Sequence, residues 1–230
     1  MDSARKFEDY NRKEASKNLI VLCALGAVFF PIFGILDYLL HKDHLTALSV
    51  IRYGTALVFA IFFVALKRFQ YLRSRPFHTS FIILVLASIS LTLMCVELGI
   101  ETSDYYQGLN LVILAFCVAV PIQSPKMVTF TLIPIATYLL GHLLDAESLI
   151  YNQDGLLINR LFFMASTAVF GSIGAVLRMN LKYKWFRTFT DLKEAEGYLR
   201  GEVEGQKETL KDLAMATAQK NKELEFAYKR

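Results

Sequence analysis

Along most of the chain, apolar residues occur in long runs that short polar segments separate. Each run is roughly 17–22 residues long, enough for a helix to cross a bilayer core of about 30 Å. Because the connecting segments are short, consecutive helices are expected to run antiparallel in a bundle. We predict membrane-spanning helices at Leu19–Leu40, Thr46–Leu66, Thr79–Val96, Tyr105–Val120, Met127–Leu144 and Arg160–Met179.

Beyond the sixth run the pattern becomes that of a charged, amphipathic helix. Apolar residues recur there at spacings of three and four, which is typical of a coiled coil. No proline follows Pro134, so nothing obliges the helix to stop at the membrane surface. A surface helix lying on its own is the alternative to a parallel dimer. The seam positions expected to transmit a signal are Leu192, Leu199, Val203, Leu210, Leu213 and Leu224.

These patterns predict an all-α fold in which a six-helix transmembrane bundle continues into a C-terminal cytoplasmic helix that forms a parallel dimeric coiled coil. The expected domains are a cytoplasmic segment at 1–17, a transmembrane sensor domain at 18–180 and a signalling helix at 181–230. Lys and Arg are concentrated before span one, between spans two and three, between four and five, and after six. By the positive-inside rule, both termini are cytoplasmic. We expect a protein of the bacterial inner membrane.

The composition agrees with a membrane protein and gives no sign of an enzyme. Of the 230 residues 54% are hydrophobic, and the mean hydropathy is +0.38. Only about 50 residues remain for a cytosolic part, too few for a sizeable core. Glycine-rich phosphate loops, GxSxG and HExxH are absent, so the sequence contains no catalytic motif. Nothing indicates a nucleic-acid partner, and the three cysteines lie in apolar spans without metal-ligand spacing.

Polar residues in the outer half of the bundle are the candidate chemistry. Asp37 lies near the end of span one and Arg52 near the start of span two, so an antiparallel hairpin would pair them at similar depth. Further polar residues lie on the same side, where they could line one pocket. A fixed structural pair with headgroup-level anchors is the alternative. The candidate ligand-binding residues are Asp37, Arg52, Glu97, Tyr105, Tyr106, Asn110, His142 and Arg160.

Small residues in span six include Gly171 and Ala175, four positions apart. Such a face permits close helix approach in lipid, within the bundle or across a dimer. Two other functions remain open. A b-type haem between His41 and His142 would make the chain a redox sensor, although no cofactor is expected. Intramembrane charges and spans interrupted by prolines would also fit a small transporter or channel.

Several short motifs resemble the six-helix input modules of bacterial sensor histidine kinases of the autoinducer type. They are Asn18-Leu19, Phe30-Pro31, Asp37-Tyr38 and Arg52. The run Tyr105–Val112 is similar to a fourth-span signature of modules attached to histidine kinases and class III nucleotide cyclases, and Lys220–Tyr228 is similar to helices that lead into kinase dimerisation helices.

The resemblance implies a homodimeric receptor in membrane lipid for a small amphiphilic or membrane-borne signal. It also implies a histidine kinase or cyclase output domain. The sequence departs from these families because it contains no phosphoacceptor histidine segment and no cyclase core. Either the output domain lies outside this chain, or the chain is a stand-alone module.

Overall fold

A computed structural model describes residues 2–100, 103–120, 124–145 and 154–228. Every secondary-structure element among these residues is helical, so the predicted all-α class is confirmed for this part of the chain. A 3-10 turn, Lys42–His44, connects the first two helices. In chain order the helices are α1 (Asp2–Leu40), α2 (Leu45–Arg68), α3 (Gln70–Ser74), α4 (Pro76–Glu97), α5 (Tyr106–Ala119), α6 (Ser124–Leu144) and α7 (Asp154–Tyr228).

Among the described residues, five helices contain a segment long and apolar enough to cross a membrane: α1, α2, α4, α6 and α7. The fourth predicted span, Tyr105–Val120, agrees with α5 to within one residue at each end; with 14 residues, α5 is shorter than the five helices above. At 1.5 Å per residue it is about 21 Å long. Its C-terminal boundary has a local cause: Val120 adopts an extended backbone and precedes Pro121 in the sequence, a position that disfavours the α conformation.

The first helix begins well before its apolar run. Residues 2–17 contain neither proline nor glycine and are rich in Ala, Lys, Arg and Glu, which favour helix formation. The segment predicted at 1–17 is therefore helical from Asp2 and continuous with the first span. Phe7 and Ala15 are buried, so this extension packs on one side.

Two apolar clusters form the core of the first part of the chain. One contains Leu19 from the middle of α1, Leu66 from the end of α2 and Ile83 from the first half of α4. The other contains Leu48 from the start of α2 and Met94 from the end of α4. Because the end of α2 packs with the first half of α4, and the start of α2 with its end, these two helices run antiparallel, as predicted for neighbouring spans.

Side chains from other helices satisfy the C-terminal carbonyl groups of α5. Helix ends leave such groups without intrahelical partners, and lipid offers none. The Nδ2 amide of Asn18 on α1 donates to the carbonyl of Ala119 at 2.8 Å. The guanidinium of Arg178 on α7 donates to the carbonyl of Cys117 at 3.4 Å. Polar residues near the ends of two apolar spans thus cap a third.

Helix α7 extends without a break from Asp154 to Tyr228. The chain divides into two compact units, Met1–Leu181 and Lys182–Arg230. The second unit is a single charged helix over its described residues. Its leucine and valine side chains are exposed wherever the structure describes them; Leu192, for example, is 67% exposed.

Candidate functional site

A buried ion pair lies where the chain reverses between α1 and α2. Asp37 is in the last turn of α1, and Arg52 is in the second turn of α2. The Nε and Nη2 groups of Arg52 donate to the two carboxylate oxygens of Asp37, the second at 2.7 Å. Asp37 is 0% exposed and Arg52 is 3% exposed. The hairpin thus pairs the two charges, as the sequence predicts.

Tyr105, the N-cap residue of α5, joins this pair. Its hydroxyl donates to Oδ1 of Asp37, so the carboxylate accepts from both an arginine and a tyrosine. The guanidinium carbon of Arg52 lies 5.1 Å from the centre of the Tyr105 ring, within cation–π range. The ring of His41 lies 5.9 Å from the same ring. Three helices therefore converge on one polar cluster, which we call the Asp37–Arg52–Tyr105 cluster.

An apolar cavity of about 540 Å³ extends from this cluster between α1, α2, α4 and α5. Its size falls in the range of small-molecule sites. Phe29, Phe33 and Leu36 contribute to one wall, while Arg52 and Tyr105 lie at the polar end. The other lining residues are Leu22, Leu25, Gly26, Phe30, Phe59, Ala87, Leu91, Asp104, Gln107, Gly108, Leu111, Val112, Ala115 and Phe116.

The polar end of the cavity can bind a hydrogen-bond acceptor. A guanidinium has five N–H donors. Two of those of Arg52 are donated to the carboxylate of Asp37. The amide of Gln107 adds a further donor and an acceptor at the cavity wall. Arg52 thus both pairs with Asp37 and lines the cavity.

A second buried arginine holds the start of α7. Arg160 is 7% exposed and donates to the carbonyl of Ile100, in the turn between α4 and α5. Its Nη1 also lies 3.3 Å from the hydroxyl of Tyr138 on α6. The guanidinium carbon is 4.9 Å from the centre of the Tyr106 ring. The N–H of Ile100 donates to Asp145 at 3.2 Å, so both the N–H and the carbonyl of Ile100 are hydrogen-bonded to side chains.

The eight predicted ligand-binding residues do not form one pocket in the structure. Among them, Arg52 and Tyr105 line the cavity, and Asp37 lies directly behind them. Tyr106 and Arg160 contact each other near the start of α7, away from the cavity lining. The ligand-binding role itself stays a prediction for all eight.

The other three predicted residues lie elsewhere. Glu97 faces His44 at 3.3 Å, in a largely exposed pair. Asn110 is in the second turn of α5, with its Oδ1 buried. His142 is in the last turn of α6. Among the described residues, no group of three His, Cys, Asp or Glu could hold a metal ion, and nothing tests a haem between His41 and His142.

The predicted small-residue face of span six lies against α5. A Cβ atom added at Gly171 would lie 2.9 Å from the Sγ atom of Cys117, closer than such atoms approach. Ala175 is buried in the first core cluster. At least the Gly171 end of this face therefore packs within the bundle.

The predicted seam residues of the second unit are exposed, from 59% at Leu199 to 67% at Leu192. Val203, Leu210 and Leu213 fall between these values. The side chain of Leu224 lies outside the described residues. An exposed apolar stripe fits either alternative drawn from the sequence, a dimer or a surface helix.

Sequence reasoning missed two parts of the site. Tyr138 contacts Arg160 from the middle of an apolar span, where a tyrosine carries no distinguishing signal. The carbonyl of Ile100 is a backbone acceptor and leaves no mark in the residue pattern. Gln107 also lines the cavity. It lies two residues after Tyr105, in the run that resembles the fourth-span signature, so the sequence did contain a signal for this residue.

No curated protein and no solved structure matches this chain. The model of one protein family, MASE8, matches residues 35–193, well over half of the chain. The match includes both buried arginine clusters and the membrane part of α7. Several helices apolar enough to cross a membrane agree with a membrane sensor module. The chain therefore belongs to MASE8, a family of membrane-associated sensor domains.

Proposed function

We propose that this domain detects a small amphiphile from the membrane and transmits the signal through α7 to a cytoplasmic output domain. The observation that carries the proposal is the cavity of about 540 Å³, whose apolar walls end at the Asp37–Arg52–Tyr105 cluster. An acyl or alkyl chain would occupy the apolar part. A polar head would contact Arg52 and Gln107. A cavity with apolar walls and one polar end suits a molecule that reaches the site from lipid.

The charges at the polar end favour an uncharged head with a hydrogen-bond acceptor. Asp37 already balances the charge of Arg52, and Asp104 adds a carboxylate at the cavity wall. A carboxylate head would bring an uncompensated negative charge into a poorly solvated site. A quaternary ammonium could not accept from the guanidinium. An ester, ketone or hydroxyl avoids both penalties.

Transmission would use α7 and a second copy of the chain. The exposed apolar residues Leu192, Leu199, Val203, Leu210 and Leu213 would pair with those of the second copy in a parallel coiled coil and exclude water from the seam. The basic residues near the predicted inner ends of the spans support cytoplasmic termini in a bacterial inner membrane. A histidine kinase or nucleotide cyclase is the proposed output, because the motifs quoted above resemble modules attached to those enzymes.

Binding of three ten-carbon amphiphiles to the chain in lipid nanodiscs tests the proposed function. The probes are methyl decanoate, decanoate and decyltrimethylammonium. A bound ligand raises the thermal midpoint with its concentration. The neutral ester should bind about tenfold more tightly than either ion, a difference of about 1.4 kcal/mol. Equal effects of all three probes would overturn the proposed head selectivity.

A matched pair of variants separates the cavity from general partition into lipid. Leu111 lines the cavity and is 61% exposed, while Val118 lies two turns further along α5 and is 65% exposed. Leu111→Trp should fill the cavity and remove the ester-dependent rise in midpoint. Val118→Trp should leave that rise unchanged. If both variants respond like the unaltered chain, the amphiphile does not bind in this cavity.

A further inference from the structure

Two neighbouring tyrosines contact the two buried arginines. Tyr105 stacks under Arg52, which lines the cavity, with 5.1 Å between the guanidinium carbon and the ring centre. Tyr106 stacks under Arg160, at 4.9 Å. Arg52 belongs to α2 and Arg160 to α7. Tyr105 and Tyr106 are adjacent in the sequence. A single peptide bond therefore separates the residue at the polar end of the cavity from the residue that contacts α7.

The two rings cannot move independently over large distances. A peptide bond is planar, and successive residues of a helix are separated by a fixed rotation of about 100°. A rotation of the first turn of α5 would therefore displace both rings at once. Tyr106 would then change its position under Arg160 when Tyr105 leaves Asp37 through this backbone rotation.

The start of α5 contains the tight turn that such a rotation requires. The N–H of Gln107 donates to the carbonyl of Asp104 at 3.1 Å, and the N–H of Gly108 donates to the carbonyl of Tyr105 at 2.9 Å. Both bonds span three residues, the 3-10 spacing that is frequent at the N-termini of α-helices. The preceding turn contains Gly99 at φ 79°, a left-handed conformation that glycine adopts without strain.

We propose that the Tyr105–Tyr106 pair couples occupancy of the cavity to the position of α7. This inference rests on the proposed function for its ligand. A head group that contacts Arg52 competes with Tyr105 for the guanidinium face. The first turn of α5 rotates, Tyr106 shifts under Arg160, and α7 moves with its arginine. Tyr106 is a positioning residue, because it acts on α7 without lining the cavity among the described residues.

The coupling can be tested without a ligand, because the chain contains a natural reporter on α7. Trp185 is its only tryptophan and is 57% exposed. Quenching of its fluorescence by lipids brominated at defined acyl positions measures its depth in the membrane. Tyr105→Phe removes the hydroxyl that donates to Asp37, and it should change the quenching profile. Tyr53→Phe, on an exposed α2 tyrosine, should not change it.

The second residue of the pair is tested in the same assay. In a Tyr106→Leu background the effect of Tyr105→Phe on the quenching profile should be lost, because no ring then remains under Arg160. Tyr106→Phe keeps the ring under Arg160 and should preserve the effect. The inference is overturned if Tyr105→Phe leaves the profile unchanged, or if its effect persists with Tyr106→Leu. Thermal midpoints of all variants verify that they fold.

A further measurement with methyl decanoate distinguishes this inference from the proposed function. If the ester binds and shifts the Trp185 profile only when an aromatic residue occupies position 106, both proposals hold. If the ester fails to bind while the Tyr105 and Tyr106 variants remain coupled, the ligand class is wrong and the coupling stands. If the ester binds but the shift ignores Tyr106→Leu, the coupling is wrong.

Discussion

Removing one charge from the Asp37–Arg52 pair should destabilise the domain far more than removing both. Asp37→Ala leaves a guanidinium only 3% exposed without its counter-ion. Breaking a buried pair in this way costs about 3–5 kcal/mol. Replacing both residues, as Asp37→Leu with Arg52→Leu, removes the charges together. The hydroxyl of Tyr105 then loses its carboxylate acceptor, for about 1–3 kcal/mol. The double variant should thus be the more stable of the two.

The three native cysteines provide the assay. Cys23, Cys95 and Cys117 are 0%, 0% and 3% exposed, so a thiol-reactive dye labels them only after the bundle opens. Labelling along an SDS titration in mixed micelles gives the free energy of unfolding for each variant. Adding Tyr105→Phe to the double variant should recover stability, because no hydroxyl then remains to satisfy.

Two results would refute this reasoning. If Asp37→Ala costs less than about 1 kcal/mol, the pair behaves like an exposed salt bridge and is not shielded from water. If the double variant is as unstable as the single one, the two charges do not compensate each other. The folded double variant also tests the proposed contact between Arg52 and the head group, because without Arg52 it should lose the response to methyl decanoate. A normal response would show that Arg52 does not contact the head group.

Other predictions concern α7. Gly171→Ala places a Cβ atom 2.9 Å from Cys117 Sγ and should destabilise the bundle by about 1–3 kcal/mol relative to Gly174→Ala, whose new methyl meets nothing within 4 Å. Adding Cys117→Ala should remove most of this difference, and the thiol-labelling assay with the two remaining cysteines measures it. Leu210→Cys copies should crosslink efficiently in lipid; a monomeric result would argue against the coil. Gly201→Ala, which gains about 1 kcal/mol of helix propensity in open space, should raise the crosslinking yield, and an unchanged yield would show that helix stability does not limit pairing.

The parts of the site that the sequence predicts are those with a strong local cause. Asp37 and Arg52 are charges near the ends of two apolar runs joined by a short connection, and burial leaves pairing as the favourable arrangement. The length of the helix from Asp154 follows from the absence of proline after Pro134. The boundary of α5 was also readable in principle, because Pro121 stands next to Val120.

The parts that the sequence does not predict depend on packing between distant segments. The sequence predicts Tyr105 and Tyr106 on the same side of the bundle as Asp37 and Arg52, but their contacts with two different arginines depend on how α5 rotates against its neighbours. The backbone carbonyl of Ile100 could not be chosen among the many carbonyls of the turns. The pattern of residue types along a helix predicts how deep a polar group lies in the membrane. It rarely predicts which group that residue contacts.

The short length of α5 accounts for the position of the site. A helix of about 21 Å is shorter than a core of about 30 Å, so its terminal N–H and C=O groups come close to hydrocarbon. Neighbouring polar groups must then satisfy them. Asn18 and Arg178 do so at the C-terminal end, and the Ser103 hydroxyl accepts from the N–H of Tyr105 at the other. The N-terminal end of α5 is therefore a polar region within an apolar bundle. An amphiphile arriving from lipid would find there both an apolar cavity and hydrogen-bonding partners for its head.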